Sequence, residues 1–312
     1  SLSTGVLTGV SGLRAGFASS FRSGPVGKIT NIGSERELIN TFGAPAEANA
    51  ADWLVAGEFL RYGGQLAVVR ASTGVLNATL DGTAVLVGSK SDYDAGAGSS
   101  EKFIARTAGA DGNNLYVVVV DKGPDFTIVK TSHGLSVGGT YTDDAAVGHE
   151  VVEVVDANTV RIIQGTAAPT PAAGDTSTAF SNSMWNATAI GSNGLTYKEI
   201  GPRPGTSAFA SERYISYDEM HVAIIDTSTN TVVERMTYLS KISDAKSPEG
   251  SSIYWKDYVN EFSGYIYAGA LTSAEFTTLG EDPGGAVASY GATSAAPIKI
   301  ARILKTAGGG LS

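Results

Sequence analysis

The chain has 312 residues, of which 17% are charged, with 39 glycines and a formal net charge of −9. That length holds two domains, or one domain carrying an insertion, around a proper core. The acidic balance argues against binding along a nucleic-acid backbone, which needs a basic face, and the absence of cysteine excludes disulfides and thiolate metal sites.

Low charge with abundant small residues favours a β-rich, turn-rich protein of the kind that packs into assemblies. No apolar run approaches the length needed to span a bilayer, and the N-terminus lacks a charged start followed by an apolar core. A protein that works inside a cell, or in a particle assembled there, is expected.

Residues 1–12 alternate small, polar and apolar side chains and read as a loose strand or extended arm. A strand is predicted from Ala15 to Phe21, ending in the turn Gly24-Pro25-Val26-Gly27, and a short one over Lys28–Ile32. Ser34 followed by Glu37 reads as a capping box that starts a helix. Leu38 and Phe42 lie one turn apart on it, and Gly43 with Pro45 stops it. A second helix is predicted from about Ala46, with Trp53, Ala56 and Leu60 on one face, ending at Gly63-Gly64. Leu66–Val69, flanked by Arg70, reads as a buried strand. Residues 1–73 therefore form one αβ layer.

From Ser72 the pattern changes to β-branched runs and glycine turns. Phe103–Arg106 predicts a strand, Ala110–Asn114 a turn, and Leu115–Val120 a central strand without a polar face. Val151–Val155 and Thr159–Ile163 read as a hairpin joined by Asp156-Ala157-Asn158, within a small β unit over Thr131–Gln164. Gly165–Ser183 reads as a Pro/Ala/Thr/Ser linker, with order returning at about Tyr197. Pro202–Ser207 is a rigid turn, Asp218–Asp226 a strand, and Thr231–Tyr238 its antiparallel partner. A helix is predicted from Pro248, with Trp255, Tyr258, Val259 and Phe262 as an aromatic stripe of core or subunit interface. A strand follows at Tyr265–Tyr267, and another within Pro297–Lys305.

The fold class expected is α+β. A mixed αβ core is formed by residues 1–73 and 195–270, a barrel-like β-rich domain over 74–194 is inserted between them, and 271–312 is a Gly/Ala/Ser-rich tail with a terminal strand. The second helix-bearing segment is expected to pack on the first.

The search for chemistry is negative, so no catalytic residue, metal site or cofactor is expected. His133, His149 and His221 show neither H-x-x-x-H nor H-E-x-x-H spacing, and turn packing or a satisfied strand histidine is the plainer reading. No phosphate loop, GxGxxG or G-x-S-x-G elbow is present. Asp143-Asp144 reads as a solvated turn and Asp218-Glu219 as an ion-pairing edge. A hydrolase or glycan-binding site would require His133 and His149 to converge with Asp143 or Asp156.

Three separated blocks carry a family resemblance. The first runs from Thr41-Phe42-Gly43-Ala44-Pro45 through Asp52-Trp53 and Tyr62-Gly63 to Arg70-Ala71. The second is Asp111-Gly112-Asn113-Asn114-Leu115. The third joins Arg203-Pro204-Gly205-Thr206-Ser207, Asp218-Glu219-Met220-His221-Val222, Leu239-Ser240 to Ala245, and Gly250-Ser251-Ser252 to Tyr265.

In this order the blocks resemble the tail sheath proteins of contractile-tailed, myovirus-type bacteriophages. The resemblance implies a structural virion subunit and no enzyme, assembling as stacked hexameric rings around a tail tube. Contraction then drives the tube through the host envelope for genome ejection. Implied partners are neighbouring copies of itself, joined by exchanged terminal strands, the tube protein, and baseplate and tail terminator proteins, with neither nucleic acid nor membrane. The implied location is the virion tail, with the host cytoplasm during assembly.

The family's N-terminal arm is abbreviated here to Ser3–Val6, and its C-terminal domain is not recognisable after about Ala270. Either a fragment or an unusually short sheath protein is expected, and a fragment is expected not to polymerise alone. A baseplate or decoration protein is the alternative within the same class.

Overall fold

The computed structural model describes residues 13–80, 84–120, 124–136, 138–190, 194–215, 218–269 and, as backbone, 300–303. These fall into two compact units, divided between Asn113 and Asn114. Each combines helices with sheets, as an α+β class requires. Residues 1–12 and most of 271–312, with the arm and tail expected there, lie outside the described residues.

The first unit is built from β1 (Arg14–Ser19), β2 (Ile29–Ile32), α1 (Glu35–Phe42), α2 (Ala50–Arg61) and β3 (Gln65–Arg70). β3 is the middle strand, parallel to β1 and antiparallel to β2. Its alternation buries Leu66, Val68 and Arg70 on one face and leaves Gln65 exposed on the other. The two helices supply Leu38, Phe42, Trp53, Ala56 and Leu60 to a core that also contains Phe21 and Ile32.

At the start of α1, Ser34 Oγ accepts from Glu37 N at 3.2 Å, and the Glu37 carboxylate accepts from Gly33 N at 2.8 Å. The reciprocal bond thus falls one residue before the expected capping box. Helix α1 ends at Gly43 in a left-handed conformation, φ 83°. α2 starts at Ala50 because residues 47–49 first make a tight turn, in which Asn49 Oδ1 takes the Ala46 N–H at 2.8 Å. The unit continues with β4 (Asn77–Thr79), α3 (Lys90–Asp94) and β5 (Phe103–Ala108), with β4 and β5 antiparallel.

Gly24 is a position where only glycine fits. Its φ is 93°, and a Cβ there would lie 2.6 Å from a Phe42 ring carbon and 2.7 Å from the Thr41 carbonyl oxygen. Gly24→Ala is expected to destabilise this unit by about 2–3 kcal/mol, combining backbone strain with overpacking. Urea denaturation followed by Trp53 fluorescence measures it.

The second unit opens with β6 (Leu115–Val120), followed by β7 (Phe126–Val129), β8 (Thr140–Thr142), β9 (Gly148–Asp156), β10 (Thr159–Ile163) and β11 (Thr176–Ala179). α4 (Asn182–Ala187) and α5 (Ala208–Ser211) precede the long hairpin of β12 (Glu219–Asp226) and β13 (Thr231–Ser240). After them come α6 (Trp255–Phe262), β14 (Ile266–Ala268) and β15 (Ile300–Ile303). β6 is central, as its unbroken apolar run requires, in a sheet ordered β13-β12-β6-β15.

β7 to β11 form a second sheet, ordered β11-β7-β10-β9-β8, around Ile128, Tyr141, Val151, Val160 and Ile162. This sheet is open, with β11 and β8 at its edges, and among the described residues no closed barrel forms.

Two further expectations are corrected. Gly165–Ser183 is no structureless linker: Thr176–Ala179 pairs with β7, and Ser181 caps α4 through a bond from Met184 N. The polar alternation of the strand hides in a small-residue composition because it lies at a sheet edge. Trp185 of α4 is buried and stacks on Tyr197 with ring centroids 4.5 Å apart. α6 starts at Trp255, not Pro248, because Lys246 and Ser252 bridge across the turn between them. The aromatic stripe was expected as core or subunit interface: Trp255 and Val259 are buried in the core and Phe262 is 62% exposed.

Candidate functional site

The sequence-selected residues collect at two polar nodes, one in each unit. In the first, Arg70 closes β3 inside the core with no exposed surface. Its guanidinium fans out to four backbone carbonyls: Nε donates to Phe21 at 2.6 Å, Nη1 to Gly24 at 3.1 Å, and Nη2 to Arg22 and Ala108, both at 2.8 Å. Burial pushes its pKa below the ordinary arginine range, and the negative charge of Asp111 pulls it back. Asp111 is itself gripped by Arg22 through two 2.6 Å bonds.

Around this node Phe42 is buried, Gly43 caps α1, and the Gly43 carbonyl accepts from Trp53 Nε1 at 3.0 Å. Gly63 takes a left-handed turn, φ 78°, after α2. Pro45 and Tyr62 are exposed, Tyr62 to 84%, and take no part.

In the second unit the Pro202–Ser207 turn is clamped onto the start of β12. Asp218 is fully buried. Its Oδ1 accepts from Ser207 N at 2.8 Å, and its Oδ2 accepts from Ser207 Oγ at 2.7 Å and Ser240 Oγ at 2.5 Å. Both hydroxyls relay the chain onward, Ser207 Oγ accepting from Ala210 N to cap α5 and Ser240 Oγ accepting from Ile242 N.

Glu219 pairs with Gly205 in both directions: its N–H donates to the Gly205 carbonyl at 3.2 Å, and its carboxylate accepts from Gly205 N at 2.8 Å. His221 Nε2 lies 2.7 Å from the Pro202 carbonyl. Arg203 donates to the Pro124 carbonyl at 2.5 Å, with Asp125 3.8 Å away. Pro204 is buried, Thr206 exposed.

Asp218-Glu219 is thus not an ion-pairing edge; its carboxylates hold hydroxyls and amides, because a buried acid needs donors more than a distant cation. Burial first of all, with the neighbouring Asp218 charge, raises the pKa of Glu219, while the Gly205 amide lowers it. The raised folded value means that ionisation of Glu219 costs stability at neutral pH, a cost relieved as pH falls through that value. Glu219→Gln keeps the acceptor and removes the charge. Its stability relative to the parent chain is expected to fall on acidification from neutral pH, checked by paired urea titrations.

The remaining marked residues are apart from both nodes. The Asn114 carbonyl accepts from Thr227 N at 2.8 Å and Thr227 Oγ1 at 3.0 Å, fixing the turn after β12; Asn113 precedes it. Tyr265 donates its N–H to Ser263 Oγ at 3.2 Å at the end of α6.

Asp143 is buried, contrary to the solvated turn expected, and accepts from Val147 N and Thr170 N at 2.8 Å each, with His149 Nε2 at 3.3 Å. These bonds hold its pKa below the usual carboxylate range, the Thr170 amide contributing most. His133 Nε2 meets the Asp156 carbonyl at 2.8 Å, while the Asp156 carboxylate caps Asn158 N. Of the suggested hydrolase constellation, His149 and Asp143 do pair, with no exposed side-chain surface and with backbone amides on both, while His133 is bound to the Asp156 carbonyl and the Leu135 amide. Among the described residues no group of three or more His, Asp or Glu is placed to hold a metal ion, and no helix is long and apolar enough to cross a membrane.

Sequence reasoning missed Ser207 and Ser240 as partners of Asp218, and marked Arg70 as a strand flank and family position without giving it interior partners. The signal for Arg70 was available: a cation at the inward position of an alternating strand must find carbonyls or acids inside.

What these nodes define is a scaffold in which polar side chains staple turns to strands. No family model matches the chain. The chain is similar to the tail sheath protein of Salmonella phage ViI, 24% identical over 284 residues, covering 78% of this chain and 43% of that protein. It also resembles the tail sheath protein of Vibrio phage KVP40, 40% identical over 68 residues (21% of this chain, 10% of that one). A third match is the tail sheath protein of Enterobacteria phage T4, 42% identical over 57 residues (18% and 9%). The chain is a relative of phage tail sheath proteins, which are structural virion components and not enzymes, and it spans less than half the length of these three.

Proposed function

We propose that this chain is the sheath-forming part of a contractile phage tail. The observation that carries the reading is the similarity to a protein named tail sheath protein across 78% of the chain. In this reading copies assemble as stacked hexameric rings around a tail tube, and the stack shortens to drive the tube through the host envelope. The partners are neighbouring copies, the tube protein, and the baseplate and terminator proteins at the two ends, with assembly in the host cytoplasm.

No bond is made or broken. The work is stored as a difference in contact energy between two packings, and small differences per copy add up along the stack. The two polar nodes support this role, because a subunit that is displaced as a body must hold its turns rigidly to its strands. Phe42, Gly43, Pro45, Trp53, Tyr62, Gly63, Arg70, Asn113, Asn114, Arg203–Thr206, Asp218, Glu219, His221 and Tyr265 are proposed as structural positions of the family. The division into 1–73, 74–194, 195–270 and 271–312, with an inserted middle, belongs to the same proposal.

Antibodies raised against the chain and gold-labelled on intact virions test the reading. Label along the whole tail is expected, whereas label confined to the tail tip or the capsid would point to a baseplate or decoration protein.

A further inference from the structure

The three histidines share one arrangement. His133 Nδ1 accepts from Leu135 N at 2.9 Å, His149 Nδ1 from Gly165 N at 3.0 Å, and His221 Nδ1 from Tyr238 N at 3.0 Å. In each, Nε2 faces an oxygen: the Asp156 carbonyl, the Asp143 carboxylate and the Pro202 carbonyl. A ring nitrogen that accepts an amide carries no proton, so the His221 ring in this arrangement is the neutral tautomer with hydrogen on Nε2. All three fall in the second unit.

His221 is where this matters most. It has no exposed surface. Opposite it the β12–β13 register shifts between Met220 and Val222, so the Thr237-Tyr238 pair bulges out. Tyr238 holds a left-handed backbone, φ 58°, that a tyrosine seldom adopts. Its N–H is taken by the His221 ring, and the two rings meet edge to face at 5.0 Å. One imidazole therefore joins β12, the bulge of β13 and the turn at Pro202.

We propose that His221 is a proton-operated latch: neutral, it holds the β13 bulge and the 201–206 turn on β12, and protonated it releases them. A second ring proton would point at the Tyr238 N–H, and the ring escapes that clash only by leaving the bulge or swinging away from Pro202.

The ionisable groups on the packed elements are engaged elsewhere. Just before β12, Asp218 holds Ser207 and Ser240; on β12, Glu219 holds Gly205 and Asp226 holds Ser228. Arg203 of the turn reaches Pro124. On β13, Arg235 donates to the Glu199 carbonyl, Glu234 binds Ser263 and Gly264, and Tyr238 supplies its ring edge. β6 presents Val120 in register.

Burial is the main cause that lowers the His221 pKa, opposed by its contacts with the Pro202 and Met220 backbone. The sign follows: the folded form binds its proton later than the unfolded one, so the stability from the neutral ring is complete above the ordinary histidine range, about 6.5. It is lost progressively as pH falls below that range. Glu219 titrates in the opposite sense, so Glu219→Gln provides the background in which the histidine acts without it.

Hydrogen exchange of the chain, corrected for the intrinsic pH dependence, tests the latch at about pH 7.5 and about pH 5, either side of the ordinary histidine range. Peptides covering 201–206 and 236–240 are expected to lose roughly tenfold or more in protection at the lower pH, the scale of one unit of proton linkage. Peptides covering β2 and β3 of the first unit are expected to hold theirs. His221→Gln, whose amide accepts and donates without titrating, is expected to abolish the acid response. Should that variant fail to fold, an NMR titration of the parent chain decides: the Tyr238 amide shift must track the His221 ring. Unchanged protection at 236–240, an acid loss that persists in a folded His221→Gln, or a His221 titration that leaves the Tyr238 amide unmoved overturns the latch.

Discussion

Replacing Arg70 with methionine is expected to cost the first unit about 4 kcal/mol, although the two side chains share much of their length. Methionine fills the space and donates nothing. The Phe21 and Ala108 carbonyls, both bonded at buried positions, would then lie dry, at ~1–3 kcal/mol each. The Gly24 and Arg22 carbonyls are partly accessible and recover some water. Arg70→Lys is expected to recover less than half of the loss, since an ammonium offers three donors from one point in place of a planar fan. Set against a total of about 5–15 kcal/mol for a folded domain, the methionine variant should melt at a visibly lower temperature and lose solubility on expression. Calorimetry of the parent and both variants gives the ranking.

Asp218→Ala is the second large effect, about 3 kcal/mol, and falls on the second unit. It removes the acceptor for one buried amide and two buried hydroxyls at once, and a hydrogen bond to a charged group is worth ~1.5–3 kcal/mol. The hydroxyls can turn to other acceptors, which keeps the sum below three full bonds, but Ser207 N cannot. Asp218→Asn is expected to cost about half as much, because its amide oxygen still takes Ser207 N. Urea titration with Trp185 and Trp255 as probes should place the loss in this unit. A Ser207→Ala, Asp218→Ala double variant should be less destabilised than the sum of the singles, since both remove the same bond.

Much of this was legible beforehand where local chemistry decides. Gly43 ends α1, the turn at Ala157-Asn158 makes the β9–β10 hairpin, and the apolar run Leu115–Val120 is a central strand. Each of those signals lies within a few residues. What stayed hidden depends on partners far along the chain. Asp218 reads as a surface acid until Ser207 and Ser240 are brought to it across 11 and 22 residues, and Asp143 reads as a turn acid until Thr170 arrives.

The strand Thr176–Ala179 was lost for another reason. Thr-Ser-Thr-Ala carries almost no apolar signal, and its place is set by backbone pairing to β7. For Phe262 the helical spacing was legible, but spacing alone did not say which of the stripe's residues the core takes, and Phe262 is left exposed. At the polar nodes the marked residues Arg70, Glu219 and His221 each bond to backbone groups that could only be read from the fold.

A cryo-EM reconstruction of virions that carry the full-length protein bears most directly on the sheath assignment. Density for both units is expected in every repeat of a layer wrapped around the tail tube, with neighbouring copies in contact along and between rings. Density for this chain found only at the baseplate or on the capsid, with the tube wrapped by some other protein, would contradict it.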